Sequence, residues 1–334
     1  MNKLYKLLIA SVMAGSILTA CGSSSDTVSI INVSYDPTRE FFTAYNKIFA
    51  QHWKEQTGQD VDVIQSHGGS GKQALEVANG LNADVVTLAL EYDINSIEKA
   101  GLIEEGWIDE LPDDSSPYTS SIVFLVRKGN PKNIHDWNDL IRDDVGVITP
   151  NPKTSGGARW NYMAAWAYAM EQYGGDEPQA EEFIKKLYQN VLVLDSGARG
   201  ATSTFVENGQ GDVLIAWENE AYLSMRDNPD DYEIISPSIS ILAQPSVAVV
   251  DDVVNYHHTK EISEEYLKYL YSDEAQHIAA ENWYRPSNQK ILEEYADVFD
   301  LNMKLVTIGD FGGWNEVQEK HFGEGGIFDK IYEK

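Results

Sequence analysis

Three times along this chain a short apolar run ends in a turn built from Gly, Ser and Ala, and each time a helical pattern follows. Val145 to Ile148 leads into I-T-P-N-P-K-T-S-G-G-A-R-W (Ile148 to Trp160), after which Trp160 to Tyr173 reads as helix. Val61 and Val63 lead through Ser66-His67 into Gly68-Gly69-Ser70-Gly71-Lys72-Gln73, then a helix through Ala74, Leu75, Val77 and Ala78. Val191 to Leu194 leads into Asp195-Ser196-Gly197-Ala198-Arg199-Gly200-Ala201-Thr202. Strand, bare turn and helix in repetition predict an α/β chain of mostly parallel sheets flanked by helices. In such sheets a ligand sits at the carboxyl ends of the strands, where these turns converge. The first-turn N–H groups of a helix have no internal acceptor, and the helix dipole adds partial positive charge there. One Gly-rich turn is ordinary punctuation. Three of them point to a shared guest, and a small anion is the natural one.

The rest of the chain continues the alternation. Val28 to Ser34 reads as a buried strand. Asp36 reads as an N-cap and Pro37 as the first helical residue. Phe41, Phe42, Tyr45, Ile48, Phe49 and Trp53 then mark one apolar helix face. Ala83 to Leu90 is a further buried strand and Ile94 to Leu102 a helix. Ser121 to Arg127 is the candidate first crossing between two lobes, and Tyr232 to Ile241 and Pro245 to Val250 are the candidates for the return. From Ser263 onward the pattern is mostly helical, with Ser272 as a clean start.

Lys3 and Lys6 precede an apolar run from Leu7 to Leu18. That is too short for the ~20 residues that span a bilayer and reads as a signal peptide over residues 1–20. Leu18-Thr19-Ala20-Cys21-Gly22 resembles a bacterial lipobox, so Cys21 is expected to be the lipidated first residue of an exported, membrane-anchored chain, with 21–27 as anchor and tether. Plain cleavage after Ala20 is the alternative. Cys21 is the single cysteine, so the fold rests on packing and not on disulfides. The formal charge over 334 residues is −28. This excludes nucleic acid, whose phosphates need a basic face. It also repels anions at long range, but screening confines that field to roughly 8–10 Å, and a recessed site of fixed dipoles can prevail.

Several chemistries fail on spacing. Gly68 to Gln73 is not a nucleotide P-loop, because Ser66 stands where a Gly is required and Gln73 where Ser or Thr is required. The seven histidines show no H-x-x-x-H, so no metal is expected. No nucleophile elbow or Ser-His-Asp order is present. By itself, Trp217 would be a core aromatic. Arg159 and Arg199 by themselves would be surface residues, and His67 reads as a structural hydrogen-bonder.

Five longer runs are more specific. N-V-S-Y-D-P-T-R-E (Asn32 to Glu40), S-H-G-G-S-G-K-Q (Ser66 to Gln73), T-P-N-P-K-T-S-G-G-A-R-W-N-Y (Thr149 to Tyr162), D-S-G-A-R-G (Asp195 to Gly200) and D-V-L-I-A-W-E-N-E-A (Asp212 to Ala221) closely resemble the bacterial sulfate-binding proteins. These are the extracytoplasmic receptors of sulfate ABC importers. The resemblance implies a two-lobed periplasmic-binding-protein fold of type II, with two mostly parallel sheets joined by two crossing strands. Lobe 1 would comprise 28–120 and 241–262 and lobe 2 would comprise 121–240, with helices of 263–334 packing mainly on lobe 1. It implies sulfate and a membrane permease as partners; a monomer without cofactor is expected, meeting the membrane only through Cys21, whose lipobox departs from the many members of the family that are soluble in the periplasm.

The resemblance also places the ligand. Sulfate would be held by the backbone N–H of Ser70, the N–H and hydroxyl of Ser155, the N–H groups of Gly156, Gly157 and Ala198, and the indole N–H of Trp217. Asp36, Arg159 and Arg199 would stand just outside, Asp36 first as a helix cap, the arginines orienting turns or offsetting charge. A handful of such bonds at roughly 1.5–3 kcal/mol each gives about 10 kcal/mol, and micromolar affinity needs about 8 kcal/mol. A site of donors alone also rejects phosphate, whose proton would go unpaired. The nearer alternative is a receptor for thiosulfate or another tetrahedral oxyanion. The remoter one is an exported sulfatase- or phosphatase-like enzyme, which would need a general base or metal beside the anion.

Overall fold

The computed structural model describes residues 27–332, so the signal peptide, Cys21 and most of the tether lie outside the described residues. Strands β1 (Val28–Tyr35), β2 (Val61–Gly68) and β3 (Val85–Leu88) alternate with helices α1 (Arg39–Thr57), α2 (Ser70–Ala78) and α3 (Glu91–Lys99). Strands β4 (Ile122–Arg127), β5 (Val147–Pro150), β6 (Val191–Asp195), β7 (Val213–Trp217) and β8 (Tyr232–Ile235) follow, with helices α4 (Gly156–Gln172), α5 (Glu177–Gln189), α6 (Ala198–Val206) and α7 (Glu218–Asp227) between them. Strand β9 (Ser246–Val249) and helices α8 (Lys260–Tyr269), α9 (Asp273–Glu281) and α10 (Ile327–Tyr332) complete the elements used below.

The strands form two separate sheets. One runs β9-β3-β1-β2, with β1 parallel to both β2 and β3 and β9 antiparallel to β3. The other runs β6-β5-β7-β4-β8, with β5 parallel to β6 and β7, and β4 antiparallel to β7 and β8. The chain passes between them at 119–121 and at 241–246, and returns to the second lobe before Lys304. At the first two passages Ser120 and Ala243 exchange a pair of backbone hydrogen bonds of 2.9 Å. Two adjacent extended segments join the lobes at this point, which is the architecture of a hinge.

Each lobe is built as its sequence pattern dictates. Helix α1 buries Phe41, Phe42, Tyr45, Phe49 and Trp53, and Gly58 ends it in the left-handed region at φ 77°. That conformation suits a residue without Cβ. Helix α4 is buried without a break from Gly156 to Ala169. A helix apolar on every side needs cover on every side, and this explains where the end of the chain goes. Helix α8 packs on lobe 1, with Tyr266 against Tyr45 and Phe49, and α9 also contacts α1. From Lys304 the chain changes sides. Lys304–Val306 pairs with Ile239–Ile241, Trp314 packs edge-on against Trp160 at 4.6 Å, and Phe322 and Phe328 pack against Tyr162 and Tyr188. The expectation that 263–334 packs mainly on lobe 1 is therefore corrected for its last part, which covers α4 and α5 of lobe 2.

Candidate functional site

The three Gly-rich turns stand at the carboxyl ends of β2, β5 and β6 and each opens a helix. Gly69 caps α2, Ser155 caps α4 with its hydroxyl accepting from the Ala158 N–H at 3.3 Å, and Gly197 caps α6. The turns meet. A Cβ placed on Gly69 of lobe 1 would stand 2.7 Å from the Thr154 carbonyl oxygen and 2.9 Å from that of Ser196, both in lobe 2. One on Gly156 would stand 2.8 Å from the Ala89 Cβ and 3.0 Å from the Ser70 Cβ. A Cβ on Gly157 would collide with Trp217 Nε1, and one on Gly197 with the Asp36 carboxylate. Ser70, Ser155, Gly156, Gly157, Ala198 and Trp217 thus lie along one seam between the lobes, and all are buried.

Several donors converge on the seam. Ser70, Gly156, Gly157 and Ala198 are first-turn residues, whose N–H groups have no acceptor inside their helices. The Trp217 indole is 1% exposed and its Nε1 has no hydrogen-bond partner among the described residues. A buried donor left unpaired costs about 1–3 kcal/mol, so this group marks where an acceptor belongs.

Three expectations are corrected in detail. The backbone N–H of Ser155 is not free: it donates to the Asn151 carbonyl at 2.9 Å, because the turn from Asn151 closes on itself. Only the hydroxyl of Ser155 is left for a guest. Asp36 caps nothing. The N-cap is Tyr35, and Asp36 and Pro37 already belong to a short 3-10 turn, so the Asp36 carboxylate pairs with Arg39 at 3.0 Å instead. This brings a fourth helix start to the seam, signalled in the sequence only by Asp-Pro directly after a buried strand. His67 is not satisfied as a structural hydrogen-bonder at Nε2, which is buried with no partner among the described residues. Burial, and then the charge of Arg39, draws its imidazole down to about 4.

The cations near the seam are all engaged. Arg159 is 6% exposed. It crosses from α4 to Asp93 of α3 at 2.9 Å and donates through Nε to the Pro152 carbonyl at 2.9 Å. Asp93 also accepts the Ser70 hydroxyl at 2.6 Å, which turns that hydroxyl into its own lobe. Arg199 crosses from α6 to Glu40 of α1 at 2.8 and 3.1 Å and reaches Glu220 at 2.9 Å. Burial disfavours the charge of Glu40, yet the Arg199 hydrogen bond and charge hold its carboxyl below the usual range. Burial pushes Glu220 up against the opposing pull of Arg199 and Thr202. Lys153, inside the second-lobe motif, is turned outward to Asp329 at 2.6 Å and the Phe322 carbonyl at 2.8 Å. An anion in the seam would therefore be held by dipoles, with the nearby guanidinium charges already neutralised.

A family model described as bacterial extracellular solute-binding protein matches residues 38–285, which include the second sheet, most of the first, the hinge and the three Gly-rich turns. The chain belongs to this family. It is 58% identical over 317 residues to the sulfate-binding protein of Escherichia coli, covering 94% of this chain and 96% of that one. It is 45% identical over 329 residues to the thiosulfate-binding protein of Pseudomonas aeruginosa, covering 98% of each. Among solved structures it matches the sulfate-binding protein SubI of Mycobacterium tuberculosis with a TM-score of 0.79 and 32% identity, covering 87% of this chain and 98% of that one. This solute-binding protein is accordingly a type II, two-lobed α/β receptor.

Proposed function

We propose that this chain captures sulfate outside the inner membrane and delivers it to an ABC-type importer. The anion would be held between the lobes by the N–H groups of Ser70, Gly156, Gly157 and Ala198, the hydroxyl of Ser155 and the indole N–H of Trp217. Asp36, Arg159 and Arg199 would support the turns without touching it. The observation that carries this reading is the unpaired Trp217 Nε1, buried among helix starts where each arginine already has a carboxylate. Such a site favours a fully ionised guest that only accepts hydrogen bonds, which is the chemistry of sulfate. The relatives named as sulfate-binding proteins support the same ligand. The reading is of a receptor and not an enzyme, since the proposed contacts include no general base. Export through the leader and attachment through lipidated Cys21 complete it.

Thiosulfate is the second reading, favoured by relatives of that name at 45% identity. Competition calorimetry with sulfate, thiosulfate, molybdate and phosphate tests both. Sulfate is expected to bind tightest and phosphate not at all at neutral pH; tightest binding of thiosulfate selects the second reading, and tight phosphate binding overturns the donor-only site. Trp217→Phe is expected to weaken binding by roughly 1–3 kcal/mol, and an unchanged Kd would return Trp217 to the core.

A further inference from the structure

Gly69 is not a glycine for the sake of its own turn. Its φ of −61° and ψ of 131° suit any residue, as do the extended angles of Gly197, φ −156° and ψ 169°. What forbids a side chain at Gly69 is the opposite lobe: a Cβ would meet two backbone carbonyls, of Thr154 and Ser196, at 2.7 and 2.9 Å. Carbonyls within turns cannot swing aside as the end of a flexible side chain can, so the lobes themselves would have to part. Beside it, Gly156 of lobe 2 approaches Ala89 and Ser70 of lobe 1 with the same lack of room. Trp160, on the next turn of α4, donates from Nε1 to the Ala89 carbonyl at 2.8 Å and fixes that approach. These contacts border the anion seam itself, because the unpaired Trp217 Nε1 lies against the neighbouring Gly157.

We infer that Gly69, with Ala89 facing Gly156, is the stop that sets how far the lobes close, and so selects the tetrahedral dianion by size. Donors on opposite lobes reach a small anion together only if the backbones touch, and every tenth of an ångström added between them lengthens the bonds of one lobe. A side chain at Gly69 holds the seam wider, which weakens the grip on a small dianion while leaving room for a larger one. The inference rests on the proposed anion site and adds the residue that fixes its width.

The test compares sulfate with the larger dianion molybdate by calorimetry on the full-length mature protein, wild type against Gly69→Ala and Gly69→Ser. The expected result is a graded change: sulfate weakens roughly 10-fold or more with the added methyl and further with the hydroxymethyl, while molybdate changes less than about threefold, so that the ratio of the two Kd values narrows by the same step. Ligand-free melting temperatures equal to wild type are expected, because only the closed form is crowded. Equal weakening of both anions, or no change in either, overturns the stop. Wild-type protein that binds neither dianion overturns the receptor reading, and the stop with it.

Discussion

Two arginines tie the lobes together on either side of the anion seam, and they do so in opposite ways. Arg159 and Asp93 form a one-to-one pair with side chains 7% and 3% exposed. Arg199 serves two carboxylates, one buried in Glu220 and one in Glu40 that is 35% exposed. The first pair has given up nearly all its water, so its charges are tolerable only while they face each other. The second keeps part of its solvent and contributes little by itself. The difference teaches that the two contacts, alike on paper, hold the closed form by different means: the dry one demands that the lobes meet in register, and the wet one adds a weak, salt-sensitive attraction.

Breaking the dry side should have the largest effect. Asp93→Ala leaves the Arg159 guanidinium buried without a carboxylate, and removing one partner of such a pair costs about 3–5 kcal/mol. The expected loss falls on the closed, liganded form and is read as a higher Kd for sulfate by calorimetry; a Kd within a factor of about three of wild type (~0.6 kcal/mol) would mean the pair is as dispensable as its counterpart.

Acid should strike the wet side next. His67 flanks the Arg199 cluster, and its imidazole lies at about 4 where the ordinary value is 6.5. The folded protein thus prefers the neutral ring, and the unfolded chain takes up the proton first as pH falls. Stability is expected to be level above pH 6.5 and to decline from there towards pH 4, the window those two values define. His321, buried against Tyr162 and drawn down to about 3 mainly by burial, acts in the same sense. His67→Gln should therefore lessen, without abolishing, the drop in Tm between neutral and mildly acidic buffer. An undiminished drop would clear His67.

The smallest effect is expected from Glu40→Gln. It removes the exposed carboxylate from Arg199 and leaves Glu220 in place, at about 0–1 kcal/mol in sulfate affinity. Because a half-exposed pair is screened by salt, the difference between this variant and wild type should vanish in molar sodium chloride. A variant as damaging as Asp93→Ala, or a loss that persists in high salt, would erase the distinction between the two sides.

How much of this was legible in advance follows from how local each signal is. The strand–turn–helix units were readable because apolar runs and Gly-Ser turns sit within a few residues of each other; the run from Ser121 to Arg127, expected as a crossing, is instead almost wholly strand β4 of the second sheet. The resemblance carried the site further than periodicity could. The engagements of Arg159 and Arg199 were not readable. Their partners lie 66 and 159 residues away, and no local pattern announces which acid a distant arginine will meet. The buried pair of Arg285 with Glu218, at 2.7 and 2.9 Å, was missed for the same reason. Ser155 misled at short range, because whether its N–H faces outward or back to Asn151 depends on one turn of backbone.

The unpaired indole nitrogen of Trp217 bears on when the two lobes stay together. Shut around nothing, the protein strands that hydrogen with no oxygen to meet it, and the penalty falls on the vacant form alone. In the receptor proposed above, cargo is thus a condition of lasting closure.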